Sequence, residues 1–130
     1  MILLDTHVVI WILTCPHRIS KAAADAISAN GARGELPRIS TATIYELIYT
    51  KRRGRIEIHA SDAELLAKMR LWFNSIPISE VIAARAAALS DSFHGDPIDR
   101  IITATGIEMG CTLITKDEKI RDAQLCKTIW

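Results

Sequence analysis

Four acidic side chains stand where this sequence is best placed to do chemistry. Asp5 directly follows the apolar run Met1 to Leu4, and Asp117 comes two residues after the strand-like stretch Thr112 to Thr115. Glu46 sits among the apolar neighbours Tyr45, Leu47 and Ile48, and Asp99 lies just past the pair Asp96-Pro97. Brought together, such groups repel: two carboxylates ~4 Å apart cost roughly 4 kcal/mol at an effective dielectric near 20. Three or four cannot all stay ionised without a cation. Oxygen-only ligands select hard ions such as Mg²⁺ or Mn²⁺. An ion of that kind keeps waters, binds substrate phosphates and can activate a water beside them. The chemistry indicated is phosphodiester hydrolysis more than acyl or hydride transfer.

The elements that must position these acids follow from the pattern. Met1 to Leu4 is wholly apolar, as expected of a central parallel strand. His7 to Leu13 and Lys21 to Ala29 read as helices, the second capped by Ser20 and stopped by Asn30-Gly31. Leu36 to Ile39 is a second strand, with Pro37 confined to an edge or the strand's start. Thr41 to Lys51 is a helix with Ile44, Leu47 and Ile48 on one stripe. The sequence Ser61-Asp62-Ala63-Glu64 is a capping box, followed by Leu65, Met69 and Trp72 on a helical face. A third strand is expected at Ile76 to Ile78, and then a helix from the cap Ser79 to Leu89. Asp96 at N-cap and Pro97 at N1 open a helix that runs to about Glu108 and ends at Gly110. Thr112 to Thr115 is the fourth strand and Thr128 to Trp130 a possible fifth. Strands alternating with helices indicate an α/β fold with a parallel sheet covered on both faces. In such sheets ligands bind beyond the carboxyl ends of the strands, where strand order switches. Asp5 and Asp117 fall on that rim.

Length and composition set the bounds. The chain has 130 residues, which suits one domain without staples. Hydrophobic residues make up 49% and charged residues 24%, so the chain is globular. Sixteen Lys and Arg against 15 Asp and Glu leave a net charge of +1, which excludes a broad field for a polyanion. Nucleic acid, as partner, would be held by local patches and a metal. Three cysteines, Cys15, Cys111 and Cys126, form no CxxC and argue against a disulfide framework or zinc site. They are expected to be buried free thiols. Neither a signal peptide nor a membrane span is apparent, and the expected compartment is the cytoplasm.

Every acid also has a plain structural use. Asp5 can cap the helix that follows it. Glu46 can belong to a polar stripe, Asp99 at N3 favours the helix dipole, and Asp117 suits a turn in Thr115-Lys116-Asp117-Glu118.

Taken in order, Leu3-Leu4-Asp5-Thr6-His7, Ser40-Thr41-Ala42-Thr43-Ile44-Tyr45-Glu46, His94-Gly95-Asp96-Pro97-Ile98-Asp99-Arg100-Ile101-Ile102 and Leu113-Ile114-Thr115-Lys116-Asp117 resemble the PIN domain family, and within it the VapC-type toxins of bacterial toxin–antitoxin pairs. The resemblance spans nearly the whole chain. It implies one PIN domain over 1–130: a three-layer α/β/α sandwich around a four- or five-stranded parallel sheet. It further implies Mg²⁺- or Mn²⁺-dependent endonucleolytic cleavage of RNA, a cognate antitoxin and a homodimer. The family's acids map onto Asp5, Glu46, Asp99 and Asp117 as metal ligands. Thr6, Ser40 or Thr41, and Thr115 fall where hydroxyls support those acids, and Asp96 is a further acid, taken first as an N-cap. The stretch Ile102-Thr103-Ala104-Thr105-Gly106 departs mildly from the family, which more often has an extra alanine there.

Other features carry less chemistry. Lys51-Arg52-Arg53-Gly54-Arg55 is the one dense basic run. Lys51, Arg52, Arg53 and Arg55 are candidates for contact with RNA or an acidic antitoxin tail, and equally for cations at a helix end with Gly54 as C′. The histidines are scattered and none is assigned as a ligand; His94, beside Asp96, is the one to watch. Trp11, Trp72, Phe73 and Trp130 suit a core or dimer surface better than a base-stacking platform. Two other functions are open. An aspartyl-nucleophile phosphotransferase would want a second acid two residues after Asp5, where His7 stands. A non-catalytic PIN-like interaction module would have no need of four acids.

Overall fold

The structure is a computed structural model and describes residues 1–93 and 95–130; His94 lies outside the described residues. Five short strands, β1 (Ile2–Leu4), β2 (Arg38–Ser40), β3 (Asn74–Ile76), β4 (Thr112–Ile114) and β5 (Thr128–Ile129), pair in the order β3-β2-β1-β4-β5. Every pairing is parallel. The chain steps outward from β1 through β2 to β3, then returns to the other side of β1 to lay down β4 and β5. Strand order therefore switches between β1 and β4, where Leu4 pairs with Ile114. A crevice for a ligand opens beyond the carboxyl ends of just those two strands.

Alternation along β1 divides the core. Ile2 and Leu4 face one side with Ile39 and Ile114. That face is covered by Val8 and Val9 of α1 (Thr6–Thr14), Ala23 of α2 (Lys21–Ala32), Leu47 of α3 (Thr41–Arg52), and Leu65 and Met69 of α4 (Asp62–Trp72). Leu3 and Leu113 face the other side. There they meet Ile102 of α6 (Pro97–Glu108) and Ile120 of α7 (Glu118–Ala123), while α5 (Glu80–Ala88) packs on α6 through Ile82, Ala86 and Ala104. The result is three layers, helices on both faces of a parallel sheet, as the sequence pattern requires. Thr103 to Gly106 are all buried, so α6 is enclosed by neighbours and its small side chains let them approach. That is where the chain departs from the family's extra alanine, and the helix is intact.

Several boundaries differ from the sequence expectations. Asn30-Gly31 does not stop α2, which runs on to Ala32. The Asn30 amide donates to the Glu35 carbonyl (2.8 Å) and its oxygen accepts from Arg33, so Asn30 staples the helix end from within. Gly34, at φ +73°, then turns the chain. The second strand begins at Arg38, past Pro37, whose carbonyl still accepts from the Asn74 amide at 3.0 Å. The third strand is Asn74–Ile76, two residues earlier than expected, and stops before Pro77, which has no N–H for a ladder. On α4, Trp72 is 40% exposed and Phe73, at 4%, takes its place inside. Extended backbone at Phe73 turns that ring inward. The short helix α7 and a 3-10 turn at Pro16–Arg18 were not foreseen, each being too short to show a period. Of the cysteines, all free, only Cys111 is buried; Cys15 and Cys126 are half-buried.

Among the described residues, no helix is long and apolar enough to cross a membrane.

Candidate active site

Asp5 ends β1 and is 1% exposed. It occupies the N-cap position of α1, yet its side chain makes no capping bond. The Thr115 hydroxyl, at the end of β4, donates to Asp5 Oδ2 at 2.6 Å. Thr115 Oγ1 also accepts from the Asp117 amide at 3.0 Å. One threonine thus ties the rims of β1 and β4 together across the switch point. Asp5 Oδ1, equally buried, has no hydrogen-bond partner. A buried carboxylate oxygen left without a donor is costly, and such an atom calls for an explanation such as an ion.

Asp117 is the N-cap of α7, its Oδ1 accepting from the Ile120 amide at 3.0 Å. The turn expected from the sequence is therefore the start of a helix. Glu46 comes from the second turn of α3. That helix is capped by the wholly buried Ser40, which accepts from the Ala42 amide at 3.2 Å. Glu46 Oε2 is a second buried oxygen with no partner. The Thr6 hydroxyl donates to Thr43 Oγ1 at 3.2 Å and so fastens α1 to α3 beside Glu46. Asp99 sits at N3 of α6, where Asp96 Oδ1 caps the helix by accepting from the amides of Ile98 (2.8 Å) and Asp99 (3.3 Å). Arg100 then fastens that end of α6 to α5 by donating to the carbonyls of Ala86, Leu89 and Ser90.

Electrostatics show that the four acids share one field. Burial, followed by the charges of Asp5, Asp96, Glu46 and Asp117, pushes the Asp99 carboxyl up to about 8. Burial also raises Asp5, opposed chiefly by the Thr115 hydroxyl, with Asp117 adding to the rise. Glu46 is raised by burial against the Thr6 hydroxyl, and Asp96 and Asp5 push it further. Acids from the ends of β1 and β4, from α3 and from α6 thus lie within reach of one another's charge. Among the described residues, however, no three His, Cys, Asp or Glu side chains stand close enough to cage a metal ion by themselves. Mg²⁺ needs no such cage, because it keeps waters and binds through one or two carboxylates plus substrate phosphates. Two orphaned buried oxygens and an all-oxygen donor set fit a hard divalent ion; they offer nothing to a soft one.

Two open grooves flank the acids. One, of about 640 Å³, is lined by Thr6, His7, Arg18, Glu46 and Arg55 among others. The other, of about 350 Å³, is lined by Asp5, His7, Trp11, Arg18, Lys116 and Asp117 among others. The dense basic run splits in consequence. Lys51 and Arg52 both bind Asp62, at 3.0 and 2.7 Å, and clasp α3 to α4. Arg53 lies over the Tyr49 ring at 5.0 Å, and Gly54, at φ +68°, turns the chain. Of the four cations, Arg55 lines the groove that holds Glu46. Sequence reasoning missed Thr43, Arg18 and Lys116. Thr43 had a signal, a hydroxyl one turn from Glu46; Arg18 and Lys116 had none beyond their charge.

Comparison with known proteins identifies the family and the fold. The PIN domain model matches residues 2–124. Ribonuclease VapC22 of Mycobacterium tuberculosis is 34% identical over 131 aligned residues, covering 99% of this chain and 98% of that one. Among solved structures, a toxin-antitoxin complex from Klebsiella pneumoniae superposes with a TM-score of 0.67 at 23% identity, covering 100% of this chain and 97% of the other. VapBC2 from Rickettsia felis, bound to a DNA fragment from its promoter, gives 0.71 at 16% identity, with coverage of 99% and 98%. The chain belongs to the PIN domain family.

Proposed function

We propose that this protein is a Mg²⁺- or Mn²⁺-dependent endoribonuclease, a single PIN domain over 1–130 that serves as the toxin of a type II toxin–antitoxin pair. One observation carries the reading: at the switch point of a parallel sheet, burial and then the charges of Asp5, Asp96, Glu46 and Asp117 raise the Asp99 carboxyl to about 8. A full-length relative named a ribonuclease, and solved neighbours described as toxin–antitoxin complexes, support it. An antitoxin protein and a second copy of the chain are the proposed partners, and the cytoplasm the proposed compartment.

Asp5, Glu46 and Asp99 would hold the ion, with Asp117 reaching it directly or through water. When bound, the ion supplies a Lewis-acid hold on the scissile phosphate and makes a water acidic enough to attack it. The protein's own groups do the positioning. Thr115 fixes one oxygen of Asp5 and leaves the other, buried and without a hydrogen-bond partner, for the ion. Capping by Asp117 Oδ1 sets the orientation of that carboxyl at the rim. The Thr6–Thr43 contact keeps α3, and so Glu46, against α1. Asp96, capping α6, presents Asp99 from the first helical turn.

The test is cleavage of a panel of structured RNAs by the purified, partner-free protein with Mn²⁺ or with EDTA. Cutting is expected with Mn²⁺ alone, and both Asp5→Asn and Asp99→Asn should abolish it while remaining folded. Full activity in both variants would sink the assignment. Absence of both cutting and Mn²⁺ binding would favour a non-catalytic module.

A further inference from the structure

The acids set a problem for any RNA that reaches them. They concentrate negative charge where a phosphate must bind, and a net charge of +1 gives no general attraction. Cations beside the acids must carry the strand. Many of the chain's cations are engaged elsewhere: Lys51 and Arg52 with Asp62, Lys21 with Asp25, and Arg85 with Glu108. Arg18 and Lys116 are different. Both are exposed, both line the groove that holds Asp5 and Asp117, and Arg18 also lines the groove that holds Glu46. Neither is ion-paired with a carboxylate among the described residues.

What holds them is an aromatic pedestal. The Arg18 guanidinium carbon lies 4.6 Å from the Trp11 ring centroid, and Lys116 Nζ lies 5.9 Å from it. Trp11 is only 7% exposed and packs on Trp130 at 5.5 Å. A guanidinium attracted to a ring through its face keeps its in-plane N–H groups available, and those groups can bind phosphate oxygens two at a time. A cation held on a ring also loses less rotamer freedom on binding than one waving in water.

We infer that Arg18 and Lys116, mounted together on Trp11, form a phosphate clamp that holds the RNA backbone against the acid site. The inference rests on the RNA-cleaving reading and adds to it the residues that bind the backbone. The clamp reads no bases, since phosphate contacts position a strand without specifying it.

The test uses a short, unstructured, fluorescein-labelled RNA, with affinity measured by anisotropy across a salt series in the Asp5→Asn background. Steady-state cleavage is measured in parallel on the otherwise unchanged protein. Arg18→Ala and Lys116→Ala should each weaken binding several-fold at low salt. Each should also lower the slope of log affinity against log salt by about 0.7, the value for one phosphate contact on a single strand. Arg18→Lys should keep the slope. In cleavage, KM should rise while kcat holds. Unchanged slopes and KM in both alanine variants, with wild-type protein still cutting RNA, would overturn the clamp and leave the nuclease standing. So would a loss seen only in melting temperature, which marks a packing role for the stacked pair. Wild-type protein that neither binds nor cuts RNA with Mn²⁺ present would overturn both.

Discussion

Thr115 ties together two of the acids in the proposed site. Its hydroxyl donates to a carboxylate on one strand and accepts an amide from the loop after another, so a single oxygen orients both Asp5 and Asp117. Without that donor, the only hydrogen-bonding influence left on the buried Asp5 carboxylate would be the Thr6 backbone amide. Groups that orient metal ligands in this way are worth roughly 10- to 100-fold in metal affinity when removed. Thr115→Val, close in shape but lacking the hydroxyl, should weaken Mn²⁺ binding by that factor, measured by calorimetric titration. Thr115→Ser, which keeps the oxygen, should restore most of it. Equal affinity in the valine variant would show that Asp5 is aimed by burial alone.

Helix ends do the corresponding work one scale up. Ser40 caps α3, Asp96 caps α6 and Asp117 caps α7, and each cap is, or lies within a few residues of, an acid of the proposed site. Removing such a cap costs about 1 kcal/mol. Ser40→Ala and Ser79→Ala should lose similar stability in chemical denaturation. Only the first sits on a helix that carries a site acid, so cleavage should fall for Ser40→Ala and hold for Ser79→Ala. These caps also explain what could be read beforehand. Asp96-Pro97, Ser79 and the Ser61–Glu64 box are local signals, and their helices began where expected. Boundaries decided by distant contacts were not legible. Asn30 continues α2 because of a bond to Glu35, and β3 lies where Pro37 and Arg38 offer partners. The strand-end acids, Asp5 and Asp117, could be placed on a rim from sequence. That Glu46 and Asp99 reach the same rim depends on strand order, which no local pattern states. Arg18 and Lys116 meet over Trp11 from positions nearly a hundred residues apart in the chain.

At the scale of the molecule, the gathering of acids is a destabilising feature that the rest of the fold must carry. In the metal-free protein, Asp99 holds its proton up to about 8, whereas its ordinary value is 3.8. Between those values the folded chain binds more protons than the unfolded chain. Stability therefore falls as pH rises through that window, the reverse of a carboxylate in a salt bridge. Asp5 and Glu46, also raised, act in the same direction. A divalent ion that binds only the folded state reverses the penalty, and most strongly where the acids are ionised. The most direct measurement is thermal melting from pH 5 to pH 8, with EDTA or with Mn²⁺, for wild type and Asp99→Asn. The account predicts that the chelated wild type loses melting temperature as pH rises and that Mn²⁺ restores it chiefly at the upper end. Asp99→Asn should lose much of both effects. Melting that is flat in pH and indifferent to Mn²⁺ would contradict the claim that these four elements build one metal site.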